Sequence, residues 1–194
     1  MDPKKIKKLH NKVKKMYHSP KNADRIEPYR KQMIRDFWDY HVKLVMADSR
    51  KLAKKYKADE NICWLGALLH DISLIHSEKN HDELSAQEAG EILQKEGFSD
   101  ETIEKVKNIA LRHRVKKYLP QTKEEKIVAT ADALNHFMPS YYLGLAVIAG
   151  EEYNDLMRRN MAKLEHDFGR KIFFPAERKA VRQRLKDFKK WFGF

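Results

Sequence analysis

The sequence predicts an all-α protein, one domain of about eight helices, and three observations carry that expectation. Gly (7) and Pro (6) are scarce among 194 residues. That is roughly half of average usage, too little for collagen-like, low-complexity or many-hairpin β architectures. No segment alternates with period two for long enough to make a strand, whereas apolar residues recur at three- and four-residue spacing along most of the chain. Hydrophobic residues make up 42%, with 9 Phe, 8 Tyr and 3 Trp. That is enough for a real core at this length and sets global disorder aside.

The elements follow in order. Lys4, Lys5, Lys7, Lys8, Lys12, Lys14 and Lys15 surround Ile6, Leu9, Val13 and Met16, whose 3-4-3 spacing makes a basic amphipathic helix ending near Ser19-Pro20. It packs its apolar face on the body, or serves as a nucleic-acid or anionic-surface arm. Over 28–56, Phe37, His41, Leu44, Val45 and Leu52 share one helical stripe. Asp59 is placed to cap the next helix. Residues 62–69 (ICWLGALL) are apolar on nearly every side, so this is the central buried helix, and it runs into His70-Asp71. A polar loop is expected over 73–80, then a helix from about 82 to 96 closed by Gly97. Ser99 caps another, with Asp100 and Glu101 in its first turn and Ile103, Val106, Ala110 and His113 on its inner face. Thr122 and Glu125 form a capping box. Ile127, Val128, Ala131 and Leu134 then mark a buried helix that carries Asp132. Pro139 breaks it. A short apolar helix from Ser140, an amphipathic one over about 151–168 and a basic last one over 175–191 complete the chain.

Composition narrows the function. The net charge of +12 suits polyanionic partners. Cys63, the one cysteine, excludes an intramolecular disulfide and a cysteine-based zinc site, and fits a reducing cytoplasm. The longest apolar run, 141–150, is half of the ~20 residues that a membrane span needs. The start, MDPKKIKKLH, has no apolar stretch behind its charges, so no leader peptide is expected.

Nine His residues make His and Asp the place to look for chemistry. Three His-Asp dipeptides occur where chance gives fewer than one. His166-Asp167 lies on an ordinary amphipathic helix and reads as surface. His81-Asp82 opens a helix, where Asp is a normal first-turn residue. His70-Asp71 ends the most apolar segment of the chain, where burying an imidazole and a carboxylate is costly unless they are paired or bind a metal. Adjacent helical residues point about 100° apart, so both reach one ion only where the helix ends. His41 and Asp132 occupy inward positions on two other helices.

His41, then His70-Asp71 in LLHDI, then Asp132 in ATADAL resemble the H…HD…D signature of the HD-domain superfamily of metal-dependent phosphohydrolases. The resemblance covers about 37–137. The resemblance puts an HD core at 36–138 within the one domain expected over 1–194, the basic N-terminal helical extension (1–35) and the C-terminal helices (139–194) lying outside it. It also implies a divalent cation held by His41, His70, Asp71 and Asp132. Two imidazoles and two carboxylates suit Mn, Fe, Co, Ni or Zn better than Ca. Asp71 is the ligand expected to orient a reacting water. His81 and His113 fall where some members complete a second metal site or touch phosphate, and are expected to share in catalysis. Arg112, Arg114 and Lys116 are placed to neutralise phosphate oxygens. One departure stands out. Many members continue as HDIGK, whereas here Leu74 follows Ile72-Ser73, and the acid that some nucleotidases carry there is absent. His76 is the nearest substitute.

The function expected from this resemblance is hydrolysis of a nucleotide or similar phosphoester in the cytoplasm, with one metal ion or two. Two other readings stay open: a non-catalytic scaffold that grips RNA or another polyanion through its basic ends, and an oxygenase holding two irons. Self-association into a homo-oligomer stays open as well. No membrane partner is expected.

Overall fold

The computed structural model describes residues 2–19, 28–77, 79–138, 141 and 152–194. Its helices are α1 (Pro3–His18), α2 (Pro28–Phe37), α3 (Lys43–Tyr56), α4 (Glu60–Leu69), α5 (His81–Lys95), α6 (Asp100–Arg112), α7 (Lys123–His136), α8 (Tyr153–His166) and α9 (Pro175–Trp191). The described residues contain no strand. Counting α2 and α3, which run into one another, as one rod leaves eight. The Pro20 and Pro139 breaks and the short helix expected from Ser140 lie outside the described residues.

The helix ends form for the local reasons visible in the sequence. Asp59 accepts from Asn61 N (2.8 Å) and Ile62 N (3.0 Å) and so satisfies two orphan donors of α4. Thr122 Oγ1 accepts from Glu125 N (3.2 Å), and Glu125 reaches back to Thr122 N and to Gln121 N, which makes the box that opens α7. Gly97, at φ +69°, closes α5 with Phe98 N bonded to Leu93 O at 3.0 Å. Two features were not expected. The rod of α2 and α3 is interrupted by one wide, π-type turn, Trp38–Val42, and a second such turn, Asp167–Lys171, follows α8. The loop over 73–80 begins inside a 3₁₀ turn, Ile72–Ile75.

Packing explains the apolar pattern of α4. It contacts α3, α6 and α7, and more lightly α5. Every residue from Ile62 to Leu69 is buried, so it has no polar face. The large core cluster also takes in α1 through Leu9, Val13 and Tyr17, all at most 1% exposed. Each such burial contributes roughly 2 kcal/mol. Lys8 and Lys12 reach Glu96 at 3.0 and 2.7 Å, and Lys5 donates to Gly97 O, so part of the basic face is tied to the end of α5. A second apolar cluster (Ala133, Phe137, Met161, Leu164, Ile172, Val181 and Phe188) joins the end of α7 to α8 and α9.

Candidate metal centre

The end of α4 resolves the geometric difficulty of two adjacent ligands. His70 is still helical (φ −58°, ψ −32°), but Asp71 has left the helix (φ −120°, ψ 22°) just before the 3₁₀ turn. Their side chains can therefore face one point. His70 Nε2 lies 3.2 Å from Asp71 Oδ2. The wide turn at Trp38–Val42 delivers His41 to the same place. His41 Nε2 is 3.3 Å from His70 Nε2, 3.2 Å from Asp132 Oδ1 and 3.6 Å from Asp71 Oδ2. All four residues are at most 5% exposed.

Asp71 has a second neighbourhood. Its other oxygen, Oδ1, lies 3.2 Å from His113 Nε2 and 3.6 Å from His81 Nε2. His113 ends α6 and His81 opens α5. Two groups able to hold a cation thus adjoin through Asp71: His41, His70 and Asp132 on one side, Asp71, His81 and His113 on the other.

The hydrogen bonds settle what these groups present to each other. His70 Nδ1 donates to Ala67 O (2.8 Å), His113 Nδ1 to Ala110 O (2.6 Å) and His41 Nδ1 to Asn135 Oδ1 (2.6 Å). None of these acceptors has a proton to give, so each neutral ring carries its lone pair on Nε2, turned inward. The carboxylates complement them: Asp71 Oδ1 and Asp132 Oδ1 are buried without a hydrogen-bond partner. Orphaned buried carboxylate oxygens among inward lone pairs are costly in a plain core. A transition-metal ion satisfies both at once, so the residues present fit the metal that the donor set implies.

The electrostatics point the same way. Burial opposes a charge on His41, yet Asp132 and Asp71 outweigh it and raise its pKa to about 9. Burial also works against the Asp71 carboxylate, while His70 and His113 hold its pKa well below the usual range. Lys171 and His136 likewise hold the pKa of the Asp132 carboxylate well below the usual range, again against burial. The pocket favours positive charge between its carboxylates. Burial lowers the pKa of His113, which leaves its imidazole neutral and able to act as a ligand or base.

Three site residues were missed in the sequence. His136 stands one turn after Asp132 on α7, with Nε2 3.2 Å from Asp132 Oδ1 and Nδ1 2.7 Å from Asp167 Oδ2. Burial, aided by Lys163, lowers its pKa to about 4. Lys171 bonds Asp132 Oδ2 and lies 3.7 Å from Asp167 Oδ1. Asp167 is 1% exposed, which corrects the surface reading of His166-Asp167. The wide turn at Asp167–Lys171 carries the Asp167 and Lys171 side chains inward, and Thr130 pins it by donating to Lys171 O (3.1 Å) and accepting from Phe173 N (3.1 Å). Tyr141 lies over the rings of His41 and His136, at 5.5 and 4.5 Å between centroids. A signal for His136 existed in its i+4 spacing from Asp132. A buried lysine has none.

The residues expected at phosphate separate. Arg112 donates to Leu119 O and lies 3.7 Å from Glu125, and Arg114 bonds Asp82 at 3.1 Å, so both face carboxylates. Lys116 is exposed. Partial desolvation of its amine and repulsion by Arg114, Lys163 and Lys171 lower its pKa. His76 pairs with Glu88 (2.9 Å) and is half exposed.

The fold and the His/Asp cluster are those of a known class. The family model of the HD domain matches residues 38–135, half of the chain, and the chain belongs to that family. The crystal structure of a predicted HD superfamily hydrolase from an uncultured Thermotogales bacterium is similar, with a TM-score of 0.59 and 18% identity. It covers 97% of this chain and 89% of that one. At this identity the likeness is one of fold. No curated protein matches in sequence. No described helix is long and apolar enough to cross a membrane.

Proposed function

We propose that the protein is a metal-dependent phosphohydrolase acting on a nucleotide or related phosphoester in the cytoplasm. The observation that carries this reading is the pair of bare oxygens, Asp71 Oδ1 and Asp132 Oδ1, set among inward-facing imidazole nitrogens. His41, His70, Asp132 and Asp71 would hold a first divalent transition-metal ion, and Asp71, His81 and His113 a second; when bound, such an ion would supply Lewis-acid polarisation of a phosphoryl oxygen and a more acidic water. Asp71, placed between both groups, would orient that water through its carboxylate. With only the first ion in place, His113, buried and neutral, would offer its Nε2 lone pair to accept a proton from that water; with a second ion bound, the same lone pair would serve as a ligand. Of the three cations expected at phosphate, Lys116 is the exposed one left to hold it, since Arg114 and Arg112 already face Asp82 and Glu125.

The test is phosphate release from a nucleotide panel by protein loaded with Mn, Fe, Co, Ni or Zn, with oxygen consumption followed in parallel. The expected result is phosphate release that falls at least ~10²-fold in Asp71→Ala and in His113→Ala. Oxygen uptake with iron and no phosphate release would favour the oxygenase reading. Metal uptake with neither activity, together with steeply salt-dependent RNA binding, would favour the scaffold.

A further inference from the structure

His136 is a third imidazole beside the group of His41, His70 and Asp132. It is buried on α7, and its ring is nearly parallel to that of His41, with 3° between planes and 5.3 Å between centroids. Its Nδ1 donates to Asp167 Oδ2, which turns the Nε2 lone pair toward Asp132. Nε2 of His136 and Nε2 of His41 lie at the same 3.2 Å from Asp132 Oδ1. Neither makes a hydrogen bond to it, because that oxygen has no hydrogen-bond partner. Two donors at right angles around one ion, each about 2.1 Å from it, stand roughly 3 Å apart. The two equal separations are of the size that neighbouring ligands of one ion would show with Asp132 Oδ1 between them. Lys171 holds the opposite oxygen, Oδ2, so Asp132 offers a single oxygen to the ion.

We infer that His136 is a further ligand of the ion held by His41, His70 and Asp132, and that Asp167 and Lys171 are positioning residues for His136 and Asp132. This rests on the metal reading above. All three residues lie beyond the segment matched by the family model. A third imidazole tilts the site toward Fe, Co, Ni or Zn and away from Mg.

The experiment is a Co(II) titration of metal-free wild type, His136→Gln and Asp167→Asn, read by visible absorption and by competition with a chelator. His136→Gln should weaken Co(II) binding ~10–100-fold and alter the absorption bands. Asp167→Asn should weaken binding while keeping the bands. A His136→Gln protein with wild-type bands and affinity within twofold would overturn the inference and leave the metal reading standing. Failure of wild type to bind Co(II) would overturn both. A crystal structure of Co(II)-loaded wild type needs no variant. It should place His136 Nε2 about 2.1 Å from the ion, and a separation beyond ~3 Å contradicts the assignment.

Discussion

Gly66 shows how closely the interior is fitted around the centre. A Cβ at this position in α4 would stand 2.6 Å from Ile109 Cγ2 and 2.7 Å from Ile109 Cδ1, and Ile109 is itself buried in α6. Replacing a helical Gly by Ala ordinarily gains about 1 kcal/mol. Here overpacking against a side chain that cannot retreat costs ~1–3 kcal/mol. Gly66→Ala is expected to lower stability by about 1 kcal/mol net, read as a lower urea midpoint, and an unchanged or higher midpoint would contradict the close packing of α4 on α6. Four residues of the centre were legible in the sequence for a related reason. His70 and Asp71 end a wholly apolar run, and His41 and Asp132 interrupt apolar stripes, so each advertises a buried polar group that needs a partner. His136, Asp167 and Lys171 gave no such contrast. Asp167 and Lys171 sit in a segment rich in charge, and only the wide turn after α8 turns them inward; the one cue for His136 is its i+4 spacing from Asp132.

Both wide turns carry residues of the centre, His41 in one and Asp167 with Lys171 in the other. Such turns insert one residue into the helical register and re-aim the side chains that follow. Periodicity arguments assume a constant register, which is why the sequence showed the helices and their caps but neither turn. Elements outside the centre are joined by fewer contacts. Glu177 in the first turn of α9 accepts from Lys55 (2.6 Å) and from the Tyr56 hydroxyl, which ties α9 to the end of α3. Burial opposes the Glu177 carboxylate, but Lys55 and Tyr56 outweigh it and lower its pKa. A carboxylate lowered on folding adds stability that is fully present above its unfolded pKa, near 4.5, and is lost as pH falls through the folded value. Glu177→Gln should therefore lower the thermal midpoint at pH 7 by ~2–4 °C, and the gap from wild type should close as the pH drops below 4. A gap independent of pH would mean that the carboxylate charge plays no part in holding α9.

Across the whole molecule, two apolar clusters meet along α7, with Ala131 in one and Ala133 in the other. Asp132 lies between them. The candidate metal centre thus sits where the core of the family domain joins the C-terminal helices, and Lys171 reaches Asp132 from that C-terminal side. The sequence could separate the motif-bearing core from the C-terminal helices, but not show that Asp167 and Lys171 reach His136 and Asp132, because that depends on how α8 and its turn pack against Thr130. An ion bound at this junction stabilises the folded state by mass action, by ~2.7 kcal/mol at one hundred times its dissociation constant. The most direct measurement is the thermal midpoint of chelator-treated protein as Co(II) or Mn(II) is added, for wild type and for Asp71→Ala. The wild-type midpoint should climb with ion concentration, and Asp71→Ala, which lacks the carboxylate shared by both groups, should respond weakly or not at all. A wild-type midpoint unmoved by every transition-metal ion tried would make the His/Asp cluster a polar core and not a metal centre.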